Sequence, residues 1–327
     1  MARRIQWGIG LISRTLALAV YASTVCLVAS GCAGLVGGVG IVITISSPPT
    51  WSLHTTTAEA TGILSVDMVT ASDGWAVGLS GNIYHYDGRA WSLHTATTEG
   101  ATLNRVEMVT TDGWIVGHGG RIYRYDGSGW TLHTTTSEGS NIYDMDSITA
   151  ADIWAVGEYG RIYHFDGVTW SLHSTTAEGS RLYAVCMITA IDGWAVGMSG
   201  RIYHYDGTSW SLHTTTAEGI RLYCIEMVTP GDGWAAGRNG LIYHFDGIAW
   251  DLHTTTAEGS YLDTICMVTH ADGWIVGDGG RIYRYDGSAW TLHSTTAEGS
   301  YLAVVDMITR SDGWAVGGDG RIYHYGP

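Results

Sequence analysis

From Trp51 to the C-terminus the chain is written as short runs of hydrophobic and polar residues, too short for helices and separated at regular intervals by Gly- or Asp-Gly-containing turns. One unit shows the pattern: an apolar run, Leu182–Thr189; a D-G-W-A-V-G run, Asp192–Gly197; R-I-Y-H-Y, Arg201–Tyr205; and W-S-L-H-T, Trp210–Thr214. Aromatic and β-branched residues bounded by such turns predict four strands joined as hairpins. If Asp206–Ser209 is a four-residue loop, Tyr205 faces Trp210 and Tyr203 faces Leu212. Ile202 and His204 then point the other way, with Ser211 and His213.

The unit recurs. One tryptophan series falls at Trp75, Trp114, Trp154, Trp194, Trp234, Trp274 and Trp314, with steps of 39 or 40 residues, and a second at Trp51, Trp91, Trp130, Trp170, Trp210, Trp250 and Trp290. Seven repeats of four strands predict an all-β, seven-bladed β-propeller of four-stranded blades. Its phase predicts how the ring closes. The repeats begin with a lone fourth strand, Trp51–Thr56, and end after a third, Arg321–Tyr325, so the N-terminal strand completes the last blade and hides both edges. The repeated aromatics are then inter-blade core.

Composition narrows the chemistry. Residues are 45% hydrophobic and 14% charged, which excludes disorder. All 16 basic residues are arginines, set against 31 acids for a net charge of −15, which excludes an electrostatic hold on nucleic acid and any lysine-based catalysis. Arg3, Arg4 and Arg14 precede an uncharged stretch that lasts until Glu59. This has the form of an export signal. Residues 1–31 are read as a signal peptide or membrane anchor, 32–50 as a linker and 51–327 as the propeller. Ala29-Ser30-Gly31-Cys32 resembles a bacterial lipoprotein cleavage site, which implies a lipidated Cys32; an uncleaved anchor reaching about Ile45 is the alternative. Both place the propeller outside the cytoplasm, at the cell surface or in the periplasm, and touching the membrane only through the N-terminus.

The G-W-A-V-G and G-x-I-Y-H-Y-D-G-x-x-W motifs resemble the exported propellers of the BNR/Asp-box group, with the photosystem II assembly-factor-like propellers among them. The resemblance covers residues 51–327 and implies fold more than activity. The box is shortened, Asp206 and Gly207 being adjacent, and the arginine cluster, tyrosine nucleophile and separate acid of the sialidases in that group have no counterpart here.

Candidate chemistry lies on the first strand of each unit, which is innermost. One column reads Asp67, Glu107, Asp146, Cys186, Glu226, Cys266 and Asp306; a second, two residues earlier, includes Ser65, Arg105, Asp144 and Cys224. Both are expected to line the axial channel. Asp67, Glu107, Asp146, Glu226 and Asp306 are candidate oxygen ligands for calcium, and Asp144, Asp146 and Glu107 beside Arg105 are the candidates for hydrolysis. The alternative is an anionic channel with no resident ion and no cofactor. Diagonal histidines such as His204 and His213 could bind a transition metal or sense pH. The loop glutamates, Glu178 among them, are expected to pair with third-strand arginines such as Arg201. Near-identical repeats offer equivalent surfaces rather than one differentiated site, so the reading is a non-enzymatic binding or scaffolding module for a protein or glycan partner. A lectin with sugars between blades and a hydrolase with an axial acidic site are the alternatives.

Overall fold

The computed structural model describes residues 48–327; the expected signal or anchor segment and Cys32 lie outside the described residues. The described chain forms seven four-stranded antiparallel sheets, six of them running first to fourth strand in sequence order. Blade 4 comprises Leu182–Thr189, Asp192–Gly197, Arg201–Tyr205 and Trp210–Thr215. The seventh sheet joins Leu302–Thr309, Asp312–Gly317 and Arg321–Gly326 to the N-terminal Thr50–Thr56. Trp51 lies opposite Tyr325 and Leu53 opposite Tyr323, the register that Trp210 and Leu212 adopt against Tyr205 and Tyr203 in blade 4. The ring therefore closes with a strand from the opposite end of the chain.

Each second strand is buried on both faces, because blades stack against it from either side. In blade 4, Ala195 and Val196 are fully buried and Trp194 nearly so. The hydrophobic clusters straddle blade boundaries: Trp194, Val196 and Ile202 of blade 4 pack with Leu222, Met227, Tyr243, Phe245 and Trp250 of blade 5. Across the preceding boundary Trp154 meets Tyr205 at 4.8 Å and Trp210 at 5.8 Å between ring centroids. Tyr205 and Trp210 stack at 5.3 Å. The aromatic ladder is thus core, and edge-to-face packing of this kind stabilises by about 0.5–1.5 kcal/mol per pair beyond area burial.

The turn chemistry fixes the hairpins. Asp206 Oδ1 accepts the Thr208 and Ser209 N–H groups at 2.9 and 2.8 Å, so the Asp-Gly loop is closed by its own side chain. Between second and third strands, Ser199 and Gly200 are both left-handed (φ 60° and 67°). A Cβ on Gly200 would meet Thr216 Oγ1 at 2.1 Å, so that position requires glycine.

The outer strand departs from strict alternation. Tyr203 opposes Leu212 but Ile202 opposes Thr214, leaving His213 as an extra residue in a β-bulge, and the same shift recurs in every blade. His213 shares a face with His204, as expected, but the register beyond Leu212 is shifted by this extra residue. Its ring lies 6.3 Å from that of His204 and edge-on to Trp194 at 4.9 Å, while His204 Nε2 contacts Asp192 Oδ1 at 2.8 Å. The expected loop ion pairs persist only as charges acting at a distance: Glu178 accepts the Tyr203 hydroxyl at 2.6 Å and Arg201 donates to Ser180 Oγ at 3.0 Å, while the Arg201 charge still helps to lower the Glu178 carboxyl.

Candidate functional site

The first strand of each blade is the inner edge of its sheet, paired on one side only. Its channel-facing backbone N–H groups must find acceptors elsewhere, since an unmet buried donor costs as much as a lost hydrogen bond. The axial column supplies them. Asp67 Oδ2 accepts from Met108 N at 2.7 Å, Glu107 Oε1 from Ser147 N at 3.0 Å, Asp146 from Met187 N, and Cys186 Sγ from Met227 N at 3.4 Å. Asp306 Oδ2 accepts from Met68 N at 2.7 Å, which carries the same link across the ring closure. Each side chain caps the next blade one residue beyond that blade's own column residue. The second column repeats the device: Ser65 accepts from Val106 N at 3.2 Å and Asp144 from Val185 N at 3.0 Å. Glu226 also has a partner within the fold.

Arg105 is the only arginine in these two columns. Its Nε lies 3.3 Å from Asp144 Oδ1. Burial by itself would depress the guanidinium, but Asp144, Glu107, Asp67 and Asp146 more than offset it and hold the group above its ordinary range. Burial, and then the charge of Asp146, pushes the Glu107 carboxyl up to about 8, against the opposing pull of Arg105 and the Ser147 hydroxyl. Burial also raises Asp144, with Arg105 and the Val185 N–H pulling the other way. The thiols of Cys224 and Cys266 are pushed up, first by burial and then by Asp263 and Asp306 respectively, so they stay protonated. Among the described residues no group of three or more His, Cys, Asp or Glu side chains is disposed to hold a metal ion. The structure therefore brings the sequence-selected acids and Arg105 to the axis, and there they join the blades.

The repeat is broken at the channel mouth, on the face where the first strands begin. The residue after the first-strand Ile or Leu is Leu64, Asn104, Asp263 or Ala303 in blades 1, 2, 6 and 7, but Tyr143, Tyr183 and Tyr223 in blades 3, 4 and 5. These rings follow one another round the mouth, Tyr143 to Tyr183 at 5.6 Å, Tyr183 to Tyr223 at 5.2 Å and Tyr223 to Tyr261 at 5.9 Å. Arginines flank them. Arg181 pairs with Glu158 at 3.3 Å, Arg221 stands against the Tyr223 hydroxyl, and Arg238 lies over the Tyr261 ring at 5.4 Å. Glu158 joins two blades, since it also accepts the Tyr143 hydroxyl at 3.1 Å and the Asn141 N–H at 3.3 Å. Asp263 faces the same mouth, its carboxyl pushed up to about 7 by burial and then by Asp278.

Next to Glu158 stands Tyr159, left-handed at φ 59°, 59% exposed, with the Arg161 guanidinium 4.9 Å over its ring. The equivalent turn position holds Ser80, Gly119, Ser199, Asn239, Gly279 and Asp319 in the other blades. An L-residue with a bulky side chain costs about 1–2 kcal/mol there. Sequence reasoning passed over this arc. Its signal was available as the positions where tyrosine interrupts an otherwise copied column.

No protein-family model and no curated protein matches the chain. Among solved structures the chain is similar to YCF48 bound to D1 peptide (18% identity, 87% of this chain and 98% of that one, TM-score 0.71). It is similar also to the WD40 β-propeller domain of Doa1 (14% identity, 85% and 97%, TM-score 0.71). A third similar structure is virginiamycin B lyase from Staphylococcus aureus (11% identity, 85% and 99%, TM-score 0.77). At these identities the likeness is one of fold.

Proposed function

We propose that this protein is a non-enzymatic binding module that docks a polypeptide on the tyrosine–arginine arc at the channel mouth. The observation that carries the reading is the break in the repeat: residues copied from blade to blade hold the blades together, whereas Tyr143, Tyr183, Tyr223, Arg181 and Glu158 are confined to one sector of one face. Aromatic and arginine side chains are the residues that most often dominate protein interfaces. A propeller of the same fold, YCF48, is recorded bound to a D1 peptide, which lends support by analogy of fold.

The hydrolase alternative needs Asp144, Asp146 and Glu107 available to a substrate, and each already accepts a backbone N–H from the following blade. The same fold does serve an enzyme, virginiamycin B lyase, so the distinction rests on the site. The lectin alternative has a cleft of about 290 Å³ at the rim, lined by Trp51, Leu53, Thr296, Glu298 and Tyr323 among others. Trp51 there is spent on the core, tilted against Tyr325 at 5.2 Å and edge-to-face with Trp274 at 5.7 Å, which leaves a sugar little ring face to stack on.

Selection of a displayed random-peptide library on the intact protein tests the docking proposal. Selected peptides should lose at least tenfold in affinity on an Arg181→Ala, Arg221→Ala double variant of unchanged circular dichroism; equal binding would remove the mouth as the site. We further infer that the propeller works outside the cytoplasm, tethered through a lipidated Cys32, and that its Asp-Gly loops are a shortened relative of the Asp-box. Mass spectrometry of the mature N-terminus tests the tether: a diacylated Cys32 supports it, and an intact Met1 in the membrane fraction favours the uncleaved anchor.

A further inference from the structure

Resting on the mouth as the docking site, we propose that Tyr159 is its anchor, and that the docked segment pairs an aromatic side chain with a neighbouring carboxylate.

The turn between second and third strands puts its middle residue in the left-handed region in all seven blades, φ 57° to 70°. Six blades fill that position with Ser, Gly, Asn or Asp, residues that are small or tolerate the conformation through local hydrogen bonding. Blade 3 alone places a tyrosine there. The ring is not buried to repay the strain, being 59% exposed. Instead one ring face lies under Arg161, whose guanidinium also donates to the Ser140 hydroxyl and is thereby fixed. The remaining surface faces outward, beside the segment where Glu158 ties Tyr143 and Arg181 together. Strain kept at an exposed, repeat-breaking position is accounted for by an interaction that the isolated fold does not contain.

The charge around this position selects the partner. The protein carries −15 overall, and near Tyr159 Glu158 pairs with Arg181 while Glu138 lies in the field of Arg161, yet Arg161, Arg181 and Arg221 gather three guanidiniums on consecutive blades. A carboxylate close to an aromatic ring would find guanidinium donors and a ring face within one sector.

The test uses the full-length protein and fluorescence polarisation with a labelled random copolymer of glutamate and tyrosine, polyglutamate and a lysine–tyrosine copolymer serving as comparison. The glutamate–tyrosine copolymer should bind at least tenfold more tightly than either. Tyr159→Gly should weaken that binding at least tenfold while raising the melting temperature, because glycine adopts the left-handed turn without strain; Tyr159→Phe should keep the binding. If Tyr159→Gly binds as the parent does, or loses binding together with thermal stability, the anchor role is overturned. Should Arg181→Ala weaken the copolymer while Tyr159→Gly does not, the mouth survives as the docking site without this anchor. If neither variant alters binding, the docking site falls as well, and failure of the parent protein to bind the copolymer overturns the partner chemistry.

Discussion

Replacing Asp306 by alanine removes the axial acceptor that spans the ring closure, where its carboxylate holds Met68 N at 2.7 Å. A hydrogen bond to a charged group contributes about 1.5–3 kcal/mol. Water in the channel can meet part of the freed N–H, and deleting one axial acid relieves some repulsion from Asp67 and its neighbours, so the expected loss is about 2 kcal/mol. With an unfolding entropy of about 2.1 cal/mol/K per residue over roughly 280 ordered residues, that corresponds to a fall in Tm of about 3 °C. Asp306→Asn keeps an oxygen acceptor and discards the charge, and should lose about half as much. Urea titration followed by tryptophan fluorescence, with a thermal melt alongside, measures both variants. If alanine is no more damaging than asparagine, or both lie within about 0.5 kcal/mol of the parent, the capping role of the column is refuted.

Removing Thr50–Thr56 bares the Arg321–Gly326 edge and strips Trp51 from Tyr325 and Trp274; loss of the tryptophan contact alone, at about 3 kcal/mol, should lower Tm by about 5 °C or more, or cause aggregation visible by light scattering. The outer histidines should take stability from the ring below about pH 6.5. Burial depresses the outer histidines His54, His94, His133, His173, His213, His253 and His293, so the unfolded chain takes up protons that the fold refuses, and their contribution, complete above 6.5, is lost as pH falls through that value. Glu107, Asp144 and Asp263, raised instead, act in the opposite sense, so the histidine contribution is read as a difference: a His213→Gln variant should lose less Tm than the parent between pH 7 and 5, and a variant whose profile runs parallel to the parent's would contradict the argument. Calcium or a chelator should shift Tm by less than about 1 °C, because Asp67, Glu107, Asp146 and Asp306 already accept backbone N–H groups; a larger rise, reversed by chelator, would reinstate the cation site.

The ring, its blade number and its closure were legible because blade stacking asks for the same large side chains at the same place in each unit, and Trp194 and its equivalents report that demand directly. The pairing of Tyr205 with Trp210 was legible because a four-residue loop sets the register at its own end. The register beyond Leu212 was not legible, because the bulge at His213 is one that no residue announces, although His213 keeps the face it shares with His204. The axial acids stand out in the sequence as a column on the first strand, but their caps on the next blade do not. A cap from Asp67 to Met108 joins residues 41 apart on neighbouring blades, so it depends on the offset between sheets, which strand patterns do not encode. One clue lay in the column itself, where every residue, the cysteines included, carries an acceptor atom. Glu178 was matched with Arg201 on charge alone, whereas the Tyr203 hydroxyl reaches it and Arg201 goes to Ser180. Tyr159 went unnoticed because composition counts it among 19 tyrosines, and only its backbone sets it apart.

The bulge at His213 and its six equivalents bears on how closely such molecules can be packed side by side. The seven outer strands, of the form W-S-L-H-T-T, carry a single formal charge among them, Asp251, and contain no proline, so two of the usual barriers to pairing with a neighbour's strand are almost absent. The extra residue breaks the hydrogen-bond spacing partway along each perimeter strand. A neighbouring strand can stay in step for only a few residues on either side of the break, too little for a continuous sheet to propagate from one molecule to the next. Each disc therefore has a perimeter of seven interrupted edges, which allows the molecules to be packed densely without fusing into fibres.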